Sequence, residues 1–274
     1  MTWIDLDGAV NARDVGGLPT VDGRTTRSGV LLRSDNLQDL SEADVARLVG
    51  ELGVRTVLDL RSSGEVHLTG PGPLREAGPV HHQLTLIPEW DGEPDHDEVD
   101  RALDSATGDR ALPSLPAGPR QQGPTDLGDH YGDYIAKAGP NLGRALRILA
   151  DADSGATLVH CAAGKDRTGV VVALALSLVG VRRNAVVADY LRSAERADRI
   201  LARLKGTTAY GPSLARTSVA DITPVAASME HFLDAVDREH GGAHGLAMSL
   251  GVDEEAVARL GARLVGTSPL AAAH

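Results

Sequence analysis

The stretch "LVHCAAGKDRTGVVVALALSL" (Leu158–Leu178) contains the only cysteine of a 274-residue chain. Its left flank, "ATLVHC", is a short β-branched and apolar run that reads as a buried strand, and its right flank, "TGVVVALALSLVG", reads as a buried helix. Between them lies a tight turn with a glycine and two basic residues. A strand, a turn and a helix in that order are the repeating unit of an α/β layer fold. They also form a device for binding an oxyanion, because a loop wrapped in front of a helix N-terminus turns several backbone N–H groups toward one point. Gly164 supplies a conformation that other residues resist. Arg167, six residues after Cys161, adds a planar guanidinium that clamps two phosphate oxygens at once. A thiol placed in such a positive field ionises more readily than a free one. The layout therefore predicts a thiolate nucleophile at Cys161 inside a phosphate cradle. Thr168 is placed to offer its hydroxyl to the sulfur and stabilise it as a leaving group.

Two plainer readings compete. Most free cysteines are small buried hydrophobes, and an arginine at the right offset arises easily in an arginine-rich chain. The joint presence of His160, Gly164, Thr168 and Gly169 is what makes coincidence a poor account. A nucleotide-binding phosphate loop is excluded, because Gly164-Lys165 is followed by Asp166 and the position five before Gly164 is Val159.

The surrounding sequence alternates strand and helix signals. "SGVLLRS" (Ser28–Ser34), "VRTVLDL" (Val54–Leu60) and "VHHQLTLI" (Val80–Ile87) read as strands. Ser41, with Asp44 three residues on, caps a helix expected to run through Leu52 and to stop at Gly53. "YGDYIAKAG" and "NLGRALRILADA" read as two helices meeting at Gly139-Pro140. "RRNAVVADYLRSAERADRILARL" is a long amphipathic stretch with a break near Ser193. Thr223-Pro224 predicts the start of a helix that Gly241-Gly242 ends, and Asp253 caps a last one. Residues 89–128 lack periodicity for longer than loops usually run inside a compact domain, and read as a mobile or disordered insertion within one domain, 1–274.

Composition narrows the functional classes. The net charge of −11 argues against a general nucleic-acid surface, so an anionic substrate needs a local positive pocket. Aromatic residues are only 3%, which leaves Leu, Val and Ala to fill the core. One cysteine excludes an internal disulfide. The acidic N-terminus does not read as a secretory signal, and the longest apolar run, Val170 to Val181, is short of the ~20 residues a membrane span needs. The default expectation is a cytoplasmic protein without a transmembrane segment, with export lacking a signal peptide as the alternative.

"HCAAGKDRTG" resembles the signature of cysteine-dependent phosphatases, His-Cys-x5-Arg-Thr/Ser, and its Gly-Lys-Asp-Arg-Thr-Gly form resembles a bacterial branch of the tyrosine phosphatases. "NARDVGG" (Asn11–Gly17), "SGVLLRSDNL", "LGVRTVLDLRSSGEV", "VADYLRS" (Val187–Ser193) and "GGAHGLAMSLGVDEEAVARL" are similar to other blocks of that branch, in the same order. The resemblance implies a central, partly parallel sheet flanked by helices. It implies hydrolysis of phosphomonoesters through a phosphocysteine on Cys161, with no cofactor and no metal. Ala162, Ala163, Gly164, Lys165, Asp166 and Arg167 would hold the phosphate, and His160 would orient the loop. In this branch the proton donor is the aspartate inside the loop, here Asp166. Asp91 in "PEWDG" and Asp59 in "LDLRS" rank behind it, with a solvated loop carboxylate and a structural acceptor as their plainer roles. Arg13, Asp14 and Arg61 are expected to form ion pairs that brace the loop from behind, with contact to the substrate as the alternative for Arg13. A helical lid is expected within residues 183–222, with "DYLRS" (Asp189–Ser193) as its candidate start and an ordinary amphipathic helix as the plainer reading. Lys165 beside Arg167 makes the rim basic, a feature that goes in this branch with action on phosphoserine, phosphothreonine and phosphoinositides; an exposed lysine at a helix start is the plainer reading. Substrates would then be phosphorylated proteins, lipid head groups or small-molecule phosphates. A sugar or nucleotide phosphomonoesterase and an inactive phosphate-binding module are the alternatives. The acidic stretch around His96 suggests a metal cluster only superficially, since its spacing fits no ligand set.

Overall fold

The computed structural model describes residues 2–87, 89, 124–151 and 155–266. Among them six strands, β1 (Thr2–Trp3), β2 (Arg13–Asp14), β3 (Leu31–Ser34), β4 (Val54–Asp59), β5 (Val80–Gln83) and β6 (Ala156–His160), form one sheet in the order β1-β2-β3-β6-β4-β5. The four strands β3, β6, β4 and β5 are mutually parallel, and β1 and β2 join antiparallel at the β3 edge. This is the partly parallel α/β sheet expected of the sequence.

Period-two alternation assigns the two faces. Leu32, Leu158 and Val57 stand in one cross-strand row and bury with Leu37 and Leu48 on the thinner face. The next row, with Val159 and Leu58, buries on the opposite face against most of the helices. One residue further on, Ser34, His160 and Asp59 end the three central strands side by side. Ligands of open parallel sheets bind beyond such carboxyl ends.

Among the described residues the α-helices of five or more residues are α1 (Glu42–Ala46), α2 (Ser63–Thr69), α3 (Pro124–Asp151), α4 (Arg167–Leu178), α5 (Arg183–Leu191), α6 (Ala197–Lys205), α7 (Ala226–His240), α8 (Ala243–Ser249) and α9 (Glu254–Leu264). Helix α4 is buried from Arg167 to Leu176, as a helix apolar on every side must be. No helix among the described residues is long and apolar enough to cross a membrane.

Several boundaries differ from expectation for local reasons. Helix α1 carries the expected capping box at Ser41 but widens after Ala46 into a π turn, Arg47–Glu51, where Leu52 N–H reaches back to Arg47 C=O at 2.9 Å. Strand β5 stops at Gln83 because Thr85 folds its hydroxyl onto Ile87, accepting from the Ile87 amide and donating to the Ile87 carbonyl. Helix α3 is continuous in outline and kinked at Ala138, two residues before Pro140. It begins at Pro124, so residues 124–128 of the expected insertion are helical, while 90–123, including Asp91 and His96, lie outside the described residues. The long stretch after Arg183 breaks as expected, into α5, a 3-10 turn at Arg192–Arg196 and α6. Helix α7 starts at Ala226, later than Thr223-Pro224 suggested, because Ser218 and Asp221 cap a separate turn, Val219–Ile222, whose carbonyl at Val219 takes the Thr223 hydroxyl.

Candidate active site

Cys161 follows the last residue of β6 and is 2% exposed. The loop after it is hung from its surroundings by three consecutive carbonyls. Ala162 C=O accepts from the Asn36 amide at 3.0 Å, Ala163 C=O from Asn11 Nδ2 at 2.9 Å, and Gly164 C=O from Arg33 Nη2 at 2.8 Å. The peptides are trans, so each N–H lies opposite the carbonyl of its own peptide plane. With the carbonyls drawn outward, the N–H groups of Ala163, Gly164 and Lys165 turn into the loop, where they find no acceptor among the described residues. This is the concave nest of donors that suits an oxyanion. Gly164 sits at φ +68, and a Cβ there would stand 2.4 Å from the Ser34 carbonyl oxygen. The end of β3 presses directly on the loop and leaves room for glycine alone.

Arg167 opens α4 and is held by a bidentate pair, Nη1 to Glu65 Oε2 at 2.5 Å and Nη2 to Glu65 Oε1 at 2.7 Å, with Leu60 C=O also accepting from Nη1. Two parallel bonds fix the guanidinium plane, not only its position. Glu65 is itself pinned, accepting from the Ser62 amide at 2.7 Å and from the Tyr210 hydroxyl at 3.0 Å. Burial pushes the Glu65 carboxyl up, but the Arg167 charge and hydrogen bonds outweigh it and hold the group below its usual value. Burial would likewise weaken the Arg167 charge, and Glu65 secures it.

Behind the loop, Asp189 of α5 lies between two fully buried arginines, pairing Oδ1 with Arg13 Nε at 3.0 Å and Oδ2 with Arg33 Nη1. Arg13 also donates to Asn11 Oδ1 at 2.7 Å, so the side chain that holds Ala163 is itself held. Arg61 pairs with Asp59 at 2.6 Å and donates to Asn36 Oδ1 at 2.8 Å, next to the amide that holds Ala162. Asp59 is buried, which raises its pKa, but His160 and Arg61 lower it further, to about 2. His160 lies 3.6 Å from Asp59, and burial drives its pKa down to about 4, so the ring is neutral at neutral pH. Asp14 does not join this brace. Its carboxylate accepts from the amides of Gly16 and Gly29, shaping the turns that flank it.

At the front of the loop Lys165 is only 8% exposed, contrary to the plainer expectation, because its Nζ donates to Asp166 Oδ1 at 2.7 Å. The same Oδ1 accepts from the Tyr131 hydroxyl at 2.6 Å. Burial pushes the Asp166 carboxyl up, and Lys165 followed by the Tyr131 bond outweighs that and keeps it ionised. Asp166 occupies the N-cap of α4 without capping it, which leaves its side chain, 25% exposed, free for other work.

A sequence profile of the tyrosine phosphatase family matches residues 4–266. The triple specificity protein phosphatase PtpB of Mycobacterium tuberculosis is 33% identical over 288 aligned positions, which cover 96% of this chain and 99% of that protein. A tyrosine-protein phosphatase of Nostoc commune is 31% identical over 153 positions, 52% of this chain and 50% of that protein. The chain belongs to the tyrosine phosphatase family.

As a cysteine-based tyrosine phosphatase it is a phosphoric monoester hydrolase acting on phosphorylated substrates. In this phosphatase Cys161 directly follows β6, Asp166 stands at the N-cap of α4, and Arg167 and Thr168 open that helix. Residues that sequence reading passed over are Glu65, Arg33, Asn11, Asn36 and Tyr131. Glu65 did carry a signal, the Ser62-x-x-Glu65 pattern of a capping box, but that pattern speaks of a helix start and not of a distant arginine. Gly169 of the signature also has a reason to be small, since a Cβ there would stand 3.2 Å from the Tyr190 ring.

Proposed function

We propose that this phosphatase works by two in-line displacements at phosphorus on the loop Cys161–Arg167. In the first, the Cys161 thiolate attacks phosphorus, the ester P–O bond breaks, and the leaving oxygen takes a proton from Asp166. In the second, water attacks the phosphocysteine, gives its proton back to Asp166, and the P–S bond breaks to release phosphate and the thiolate. The amides of Ala163, Gly164 and Lys165, with Arg167, carry the charge on the equatorial oxygens. Asp166 rests ionised, and a dianion bound in the loop beside it pushes its carboxyl toward the protonated form the first step needs. The Thr168 hydroxyl is buried with no partner among the described residues, which suits a bond to the sulfur as it leaves. Asp59 is committed to Arg61 and remains a structural acceptor in this reading.

The observation that carries the proposal is the set of three outward-tied carbonyls around the one thiol. Cys161→Ser should lower p-nitrophenyl phosphate turnover by at least about 10⁴-fold while the protein remains folded. Residual turnover of a few per cent would overturn the assignment.

We extend the proposal to specificity and access. PtpB is named for triple specificity, and a buried Lys165 at the loop supports action on phosphotyrosine, phosphoserine or phosphothreonine, and phosphoinositides here. Lys165→Ala should reduce phosphoinositide turnover more than phosphotyrosyl-peptide turnover; equal losses would sink this part. Residues 183–222 act as the lid. Ile200, Leu201, Leu204, Ala209, Tyr210 and Leu214 pack on Ala162, with Ala163 at the edge of the same cluster. A cytoplasmic setting fits a chain whose working thiol must stay reduced.

A further inference from the structure

The aspartate assigned to proton transfer is gripped by a phenol that belongs to neither the signature nor the loop. Tyr131 comes from α3, is 0% exposed, and places its oxygen 2.6 Å from Asp166 Oδ1. A second phenol, Tyr190 of α5, lies 2.8 Å from the Tyr131 oxygen and is 1% exposed. Each hydroxyl has one proton to give. The Tyr131 proton goes to the carboxylate, so Tyr190 is the donor in the phenol pair, and the chain of bonds runs Tyr190 to Tyr131 to Asp166. Lys165 and Tyr131 both engage Oδ1, while Oδ2 has no partner among the described residues. The carboxylate is thereby anchored by one oxygen, and the other is left to exchange a proton.

We propose that Tyr131, oriented by Tyr190, is a positioning residue for the acid–base step, holding Asp166 by Oδ1 so that Oδ2 serves the leaving group and then the attacking water. This rests on the role given above to Asp166. The groups facing Asp166 are Lys165 beside it in sequence, His130, Tyr131 and Tyr134 from α3, and Tyr190 from α5. Of the three tyrosines only Tyr131 touches the carboxylate. Tyr134 is bound to His130 Nε2 at 3.1 Å instead. Tyr134→Phe therefore removes the same atom from the same helix without touching the anchor.

The test compares Tyr131→Phe, Tyr190→Phe, Tyr134→Phe and Asp166→Asn on phenyl phosphate, whose leaving group needs a proton, and on p-nitrophenyl phosphate, whose leaving group needs it less. Asp166→Asn should lower phenyl phosphate turnover by about 10²-fold or more, the usual worth of general acid–base catalysis. Tyr131→Phe should lower it about tenfold, with a smaller loss on p-nitrophenyl phosphate. Loss of a donor to a carboxylate also raises its pKa, so the limb of the pH–rate profile belonging to Asp166 should move up by about one pH unit. Tyr190→Phe should move it less, and Tyr134→Phe should leave it in place. If Asp166→Asn spares phenyl phosphate turnover, the assignment of Asp166 falls and this inference with it. If Asp166→Asn is impaired but Tyr131→Phe keeps both rate and limb, or Tyr134→Phe shifts the limb equally, only the role of Tyr131 is overturned.

Discussion

The back and the front of the phosphate loop are built on different terms. At the back, Arg13 and Arg33 share one carboxylate, Asp189, and all three side chains are within 2% of full burial. These groups and Asn11 fix backbone atoms, the carbonyls of Ala163 and Gly164, and nothing there reaches solvent. At the front, Lys165 and Asp166 form a pair whose carboxylate keeps a quarter of its side-chain surface, and they hold each other and Tyr131 but no backbone. The difference separates two tasks. The shape of the anion nest is set by buried charges that share one carboxylate and reach no solvent. The proton inventory is left to groups that a bound dianion can still shift.

The strongest way to break this contrast is Asp189→Asn, which leaves two buried guanidinium groups without their counter-charge. A loss of about 3–5 kcal/mol is expected in urea denaturation; a loss below 1 kcal/mol would mean that the back is not an ion network in energetic terms. Acid should act on the same region. His160 is buried neutral with a pKa of about 4, against roughly 6.5 when unfolded. The unfolded chain therefore binds the extra proton first, and stability falls as the pH drops from about 6.5 to 4, by up to ~3 kcal/mol. His160→Asn should flatten that part of a stability–pH curve; an unchanged curve would place its source elsewhere.

Gly164→Ala probes the boundary between the two regions. A side chain at φ +68 that also meets the Ser34 carbonyl at 2.4 Å should cost roughly 1–3 kcal/mol. The displaced amides should cost about 10²-fold in kcat/KM, and normal kinetics in a folded variant would show that the nest tolerates a different shape. The smallest effect on stability is expected at the front. Lys165→Gln removes the buried cation of a pair whose carboxylate keeps a quarter of its surface and its bond to Tyr131, and should cost about 1 kcal/mol, well below Asp189→Asn, while altering the pH profile of turnover. A stability loss matching that of Asp189→Asn would erase the distinction between the two sides.

What was legible in the sequence follows the same division. Cys161, Gly164, Asp166 and Arg167 lie within seven consecutive residues, and a local motif reports on local geometry. The strands were legible because their side chains alternate between two apolar faces. Glu65 was not, since it meets Arg167 from 102 residues away and its own neighbourhood already explains it as a cap. Asp189 and Tyr190 were visible as part of "DYLRS" but pointed to a lid helix. Nothing local says that one neutralises two arginines on β2 and β3 while the other supports a phenol on α3. Tyr131 opens "YGDYIAKAG", where its place three residues before Tyr134 speaks of one helix face and not of a carboxylate 35 residues away.

The three outward carbonyls have a consequence for the order in which the molecule is made. Their donors, Asn11, Arg33 and Asn36, are all made before residue 37, and the acceptors only at 162–164. A chain leaving the ribosome therefore carries the finished set of hooks through more than a hundred residues before there is anything to hang on them. During that interval Arg13 and Arg33 also lack Asp189, which arrives later still. A chain ending between Gly169 and Arg183 contains every signature residue of the loop but not Asp189, the charge that locks it.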